Sequence, residues 1–135
     1  MRELTIEAAT DKLDEVLGFV DAYLDETDCP EKTRMQIDVA VEEIFVNIAS
    51  YAYAPEKGDA RIVIESQKDP DGVGITFFDS GRQYDPLARE DPDVTLPAEK
   101  RRIGGLGIFM TKKFMDNVTY EYRDGFNVLK LEKGL

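Results

Sequence analysis

The sequence predicts an α+β fold: a two-layer sandwich in which a mostly antiparallel mixed sheet carries helices packed on one face. Three observations predict it. Short alternating runs flank hairpin turns at Asp69-Pro70-Asp71-Gly72 and Asp124-Gly125. Two segments with a helical apolar period precede those hairpins. No strand–helix–strand unit of the parallel-sheet type repeats along the chain.

Arg2 to Glu7 alternates, with Leu4 and Ile6 on one face, and reads as an edge strand. Thr10 offers an N-cap to a helix from Asp11 to about Leu24, whose Leu13, Val16, Leu17, Val20 and Leu24 share one side. Asp28-Cys29-Pro30 interrupts it, and Pro30 suits the start of a longer helix from Glu31 to Tyr53. Ile37, Val41, Ile44 and Ile48 form the core stripe of that helix, and Ala54-Pro55 ends it. After the Lys57-Gly58-Asp59 turn come strands at Arg61 to Gln67 and Gly74 to Asp79. Arg82 to Arg102 contains Pro86, Pro92 and Pro97 without any apolar period, which predicts a long loop. Gly104-Gly105-Leu106-Gly107 opens a third helix with Leu106, Phe109, Met110 and Phe114 on its apolar side. Strands at Val118 to Arg123 and Asn127 to Glu132 close the chain.

The composition restricts function. The 135 residues predict a single domain, 1–135, large enough to bury a core without staples. Asp plus Glu number 28 against 17 Lys plus Arg, a net charge of −11. Such a surface repels phosphate backbones and anionic lipid, which argues against direct nucleic-acid or membrane partners. The chain has no histidine, so triads, histidine-ligated metals and phosphohistidine relays within it are excluded. Cys29, the single cysteine, cannot form an intrachain disulfide. The charged start MRELTIEAATDKLDE and the lack of a membrane-length apolar run predict a cytoplasmic location.

Three features could carry chemistry. On the long helix, Glu43 and Asn47 are four residues apart and project from one face, in a cluster with Ser50 and Gln36. Ala40 and Ile44 flank that cluster on one side, and Met35, Val39 and Val46 on the other, while Asp38, Glu42 and Ala49 mark the solvent side. A polar stripe between apolar edges can wall a pocket; an ordinary solvated stripe explains it equally well. Asp79-Ser80-Gly81 ends an apolar strand, where Gly permits close backbone approach, although a plain strand-to-loop turn would look the same. The glycines at 104, 105 and 107 open a helix whose free N–H groups favour phosphate, with Arg101 and Arg102 just before. They could equally serve as a hinge for the preceding loop.

Taken together and in this order, the features resemble the GHKL (Bergerat-fold) ATPases, and within them the anti-sigma factor serine/threonine kinases. VEEIFVNIASYAY resembles the asparagine box, DSGRQYDPL the first glycine box and GGLGIFMTKKFMDNVTYEY the second. The resemblance implies ATP and Mg²⁺ as cofactors. It implies Glu43 as general base, Asn47 as the Mg²⁺ ligand, and Asp79 as acceptor of the adenine amino group with Gly81 leaving room for the base. It further implies Gly104, Gly105, Leu106 and Gly107 around the phosphates, Arg102 near the terminal phosphate, and an ATP lid at about 87–103. The chain departs from relatives at Ser50, where they often carry His, at Gln83, where they often carry Gly, and at Asn127, where they often carry Thr.

The implied activity is phosphorylation of a Ser or Thr on an anti-sigma-factor antagonist, with sequestration of a sigma factor as a second role. The alternative is a non-catalytic, ATP-dependent regulatory module that binds a protein. Helix one and part of the sheet form a homodimer face in relatives, but an ordinary core accounts for the same apolar residues here.

Overall fold

Among the described residues five strands form one sheet in the order β1-β2-β3-β5-β4, where β1 is Arg2–Glu7, β2 Asp59–Gln67, β3 Gly72–Asp79, β4 Asn117–Arg123 and β5 Phe126–Gly134. The structure is a computed structural model that describes residues 1–68, 71–88 and 105–135. Where the sequence left room for a mixed sheet, every pairing among the described residues is antiparallel. Asp124 and Gly125 both have positive φ, 55° and 83°, which lets the two-residue turn between β4 and β5 follow the strand twist.

Among the described residues three α-helices cover the sheet: α1 (Leu13–Asp25), α2 (Glu31–Asn47) and α3 (Gly105–Phe114). The middle one, α2, packs against both α1 and α3. Pairing register puts alternate strand residues under them, with Phe77 opposite Ile62 on β2 and Leu129 on β5. Ile62, Ile64, Ile75, Phe77 and Leu131 meet Val16, Val20, Leu24, Ile37, Val41 and Phe45 in one buried cluster. Phe45 is fully buried, so truncation to Ala would cost about 3–5 kcal/mol.

Several expectations are corrected. Thr10 does not cap α1; it lies in a 3-10 turn, Thr10–Lys12, that precedes the helix. The long helix does not run unbroken to Tyr53: after Asn47 it widens into a π-helical turn, Ile48–Ala52. On α3 the buried positions are Ile108 and Thr111, followed by Met115 just past its end. Phe109, Met110 and Phe114 are only partly covered, because a stripe starting at Ile108 continues at i+3 and i+7.

Asp38 is not a solvent residue either. It faces Asp21 of α1, and each carboxyl has a buried Oδ1 without a hydrogen-bond partner. Burial and then the neighbouring Asp21 carboxyl push the Asp38 pKa up to about 7, with Arg34 pulling the other way. Met35 and Val39, placed at a pocket edge from sequence, are exposed at 60% and 38%.

Candidate functional site

The site begins with the last turn of α2. Asn47 donates its side-chain amide to Glu43 twice, at 3.0 Å to the backbone carbonyl and at 3.0 Å to carboxylate Oε1. That double bond orients the Asn47 amide, so Oδ1 is the atom it presents elsewhere. Burial raises the Glu43 pKa, repulsion from Glu42 adds to it, and the Asn47 bond opposes both. The Glu43 carboxylate lies against the start of α3. A Cβ on Gly107 would fall 2.0 to 2.2 Å from its carboxyl atoms, so only glycine fits without displacing it. Thr111, almost fully buried, donates its hydroxyl back to the Gly107 carbonyl at 2.9 Å and ties that turn down.

The π-helical turn follows immediately and reshapes the wall. Wide turns of this kind recur at functional sites because they re-aim side chains within a helix. Here Tyr51 and Ala52 line the same cavity as Ile44, Asn47 and Ile48. The Ala52 carbonyl accepts the Arg82 N–H at 2.9 Å, and the Arg82 guanidinium reaches the Ala54 carbonyl at 2.7 Å. Tyr53 adds a second tether, since its hydroxyl donates to the Asp59 carbonyl at 2.6 Å and accepts the Ser80 N–H at 2.9 Å. The end of α2 and the loop after β3 are thereby held together. Gly81 is required by that closure: a Cβ there would stand 2.2 Å from the Ala52 carbonyl oxygen. The space that Gly81 leaves is thus taken by the protein's own backbone.

Opposite α2, the cavity is floored by Phe77 of β3 and Leu129 of β5, and by Asp79 one pleat further along. Asp79 is 6% exposed. Its Oδ1 accepts from the Gly81 N–H at 3.0 Å and from the Asn127 side-chain amide at 2.9 Å. Desolvation raises its pKa, and these two bonds hold the rise back. Asn127 of β5, Tyr120 of β4 and the loop residues Arg82, Tyr84 and Pro86 complete the lining of a cavity of about 400 Å³.

An apolar slot of this size with one buried carboxylate at its end suits a flat heterocycle that donates a hydrogen bond from its edge. No group of three or more Cys, Asp or Glu among the described residues could cage a metal ion. Hard oxygen donors are present at Asn47 and Glu43, which fits a Mg²⁺ that takes few protein ligands and completes its shell with phosphate and water.

The structure therefore brings Glu43, Asn47, Asp79 and Gly107 into one region, with Gly81 just behind Asp79. Gly105 and Leu106 lie in the first turn of α3. Arg102, Gly104 and nearly all of the lid at 87–103 lie outside the described residues. Ser50, grouped with Glu43 from the helical wheel, is exposed and is not part of the cavity lining, because the π-turn shifts the register after Asn47. Sequence reasoning did not assign Tyr51, Tyr84, Arg82 or Tyr120 to the site. Only Tyr120 carried a usable signal, its inward phase in the alternation of β4 opposite Leu129.

This fold, helices on one face of a five-stranded antiparallel sheet, is that of an ATPase-like domain. The sequence matches the histidine kinase-like ATPase domain over residues 6–133, and the chain belongs to that family. Among its relatives is the serine-protein kinase RsbW of Listeria monocytogenes, 32% identical over 97 residues, which are 69% of this chain and 61% of the relative. The serine/threonine-protein kinase BtrW of Bordetella bronchiseptica is 28% identical over 100 residues, 74% of this chain and 70% of the relative. The matched part thus spans about three fifths of the Listeria relative's length. In the crystal structure of RsbU and RsbW domains from a Mycobacterium tuberculosis protein, a region with the same fold superposes with a TM-score of 0.66 at 16% identity. It covers 100% of this chain and 33% of the solved one. No helix among the described residues is long and apolar enough to cross a membrane.

Proposed function

We propose that this chain is an ATP-dependent serine/threonine protein kinase, with residues 1–135 acting as one ATP-binding unit and about 87–103 as its lid. The observation that carries the reading is the position of Asn47. It lines the cavity and clasps Glu43 at once, so a base-binding slot and a carboxylate of raised pKa share one helix face.

In this reading the adenine ring lies between Ile44 and Ile48 on one side and Phe77 and Leu129 on the other, and Asp79 accepts from its amino group. Guanine would present a carbonyl there and leave the carboxylate facing an acceptor, a loss of about 10- to 100-fold in affinity. Asn47 Oδ1 would hold Mg²⁺, which would supply charge neutralisation at the phosphate oxygens. The first turn of α3, with Gly105, Leu106 and Gly107, receives the phosphates, and the proposal adds Gly104 to that role and Arg102 to the terminal phosphate. Glu43 takes the proton from a Ser or Thr hydroxyl of a partner. The hydroxyl oxygen bonds to the γ-phosphorus as the bond to the β–γ bridging oxygen breaks, and ADP leaves. Burial helps Glu43 because a base works best with a pKa near the working pH.

The similarity to named serine kinases supports a protein substrate; an anti-sigma-factor antagonist is the proposed one, with a sigma factor as a second ligand. The cytoplasm is the proposed location. The test is incubation with γ-labelled ATP, Mg²⁺ and a cognate antagonist domain. Label should appear on a partner Ser or Thr with wild type and not with Glu43→Gln. Partner binding that depends on ATP without any label transfer would favour the non-catalytic regulatory module instead.

A further inference from the structure

Asn127 stands out among the buried groups that the proposed reaction does not use. It is 6% exposed, and all of its side-chain hydrogen-bonding capacity is filled. Its Nδ2 donates to Asp79 Oδ1 at 2.9 Å and to the Arg82 carbonyl at 2.8 Å. Its Oδ1 accepts the Tyr84 N–H at 3.1 Å and the hydroxyl of Tyr120. One amide therefore joins β3, the loop that leaves it and β4. Strand register places it there, since Asn127 is the β5 partner of Asp79 and lies across from Tyr122 on β4.

We propose that Asn127 is a positioning residue that sets the purine preference of the cavity, by locking the Asp79 carboxylate with Oδ2 left for the ligand. The proposal rests on the reading of this cavity as an adenine site. Among the described residues, both hydrogen bonds to the Asp79 carboxylate, from Asn127 and Gly81, go to Oδ1. A carboxylate held by one oxygen cannot rotate to meet a different donor pattern without breaking two buried bonds. The same amide fixes the backbone at 82 and 84, so the start of the loop toward the proposed lid is referenced to the carboxylate. Threonine could not do this, since one hydroxyl supplies a single donor where Nδ2 supplies two. The Tyr84 N–H, which can only donate, and the Arg82 carbonyl, which can only accept, fix which way round the amide sits, and the Tyr120 hydroxyl donates to the oxygen side so defined.

The experiment is titration calorimetry with ATP and with GTP on wild type, Asn127→Ser, Asn127→Asp, Tyr120→Phe and Asp79→Asn, with circular dichroism to verify folding. Asn127→Ser should lose about tenfold in ATP affinity, with a similar narrowing of the ATP-to-GTP ratio. Tyr120→Phe keeps the bulk and leaves Asn127 Oδ1 its bond from the Tyr84 N–H, so it should fold and lose a few-fold.

Asn127→Asp supplies a readout that simple packing damage would not move. Two carboxylates then face each other and share a proton at low pH, which restores a donor to Asp79 Oδ1. The charged and titratable neighbours are Arg82, Tyr84 and Asp85 from the loop and Tyr120 and Tyr122 from β4. Binding of ATP by this variant should improve at least tenfold from pH 8 to pH 5.5, whereas wild type should hold steady or weaken over that range. A folded Asn127→Ser protein with the wild-type ATP-to-GTP ratio, or an Asn127→Asp pH profile parallel to wild type, would overturn the proposal alone. Wild type that binds no ATP, or Asp79→Asn that binds as wild type does, would overturn the adenine-site reading beneath it.

Discussion

Replacing Gly107 with Ala should separate function from stability. The new methyl would sit 2.0 Å from Glu43 Cδ, about 1.5 Å short of ordinary contact. The atoms in its way are the end of a flexible side chain, not backbone, so Glu43 can swing aside. Doing so breaks its bond to Asn47, a loss of about 1 kcal/mol. Alanine in place of glycine inside a helix returns up to about 1 kcal/mol. Net stability should therefore change little, with a melting shift of at most about 5 °C. Catalysis should not be spared. A reacting group displaced by about 1 Å costs on the order of 100-fold in rate. The assay is the initial rate of γ-phosphate transfer to the antagonist partner, paired with a thermal melt. Wild-type turnover by Gly107→Ala would refute the assignment of Glu43. A rate loss matched by a large drop in melting temperature would refute the claim that this contact serves catalysis rather than general packing.

Three further outcomes follow from the same geometry. Transfer by wild type should fall as pH drops through the Glu43 pKa, at a midpoint above the usual 4.5 because burial raises it; a pH–rate profile checks this, and Glu43→Gln should be inactive at every pH. Gly81→Ala must push the Ala52 carbonyl away, so it should cost about 1–3 kcal/mol in denaturant unfolding and weaken ATP binding with it. Asp38→Asn should stabilise the protein above pH 7. The folded state keeps Asp38 protonated up to about 7 while the unfolded chain ionises near 4, so wild-type stability falls between those values and the variant's should fall less. Melts from pH 5 to 9 read this directly.

Much of this was legible in the residues. The alternation of β1 and of the two hairpins placed every strand within two residues of its observed ends, because one face of each must enter the core. The four-residue spacing of Glu43 and Asn47 was enough to predict their shared face, and their mutual hydrogen bond bears it out. The π-turn after Asn47 was not legible. Its register shift depends on tertiary ties at Ala52 and Tyr53 to a loop about thirty residues away, which no local period encodes. The Asp21–Asp38 pair escaped for a similar reason: a helical wheel for α2 alone cannot show which of its polar residues α1 will cover. Asn127 was noticed only as a departure from relatives; its role emerges once strand register sets it beside Asp79.

The central claim is that this cavity binds adenine through Asp79 with Asn47 serving the Mg²⁺-bound phosphates. The most direct measurement is titration calorimetry with ATP and with GTP, with and without Mg²⁺, on wild type and Asp79→Asn. Wild type should bind ATP at least tenfold better than GTP, Mg²⁺ should strengthen binding, and Asp79→Asn should lose it. Equal affinity for the two nucleotides, or ATP binding that survives in Asp79→Asn, would contradict that claim.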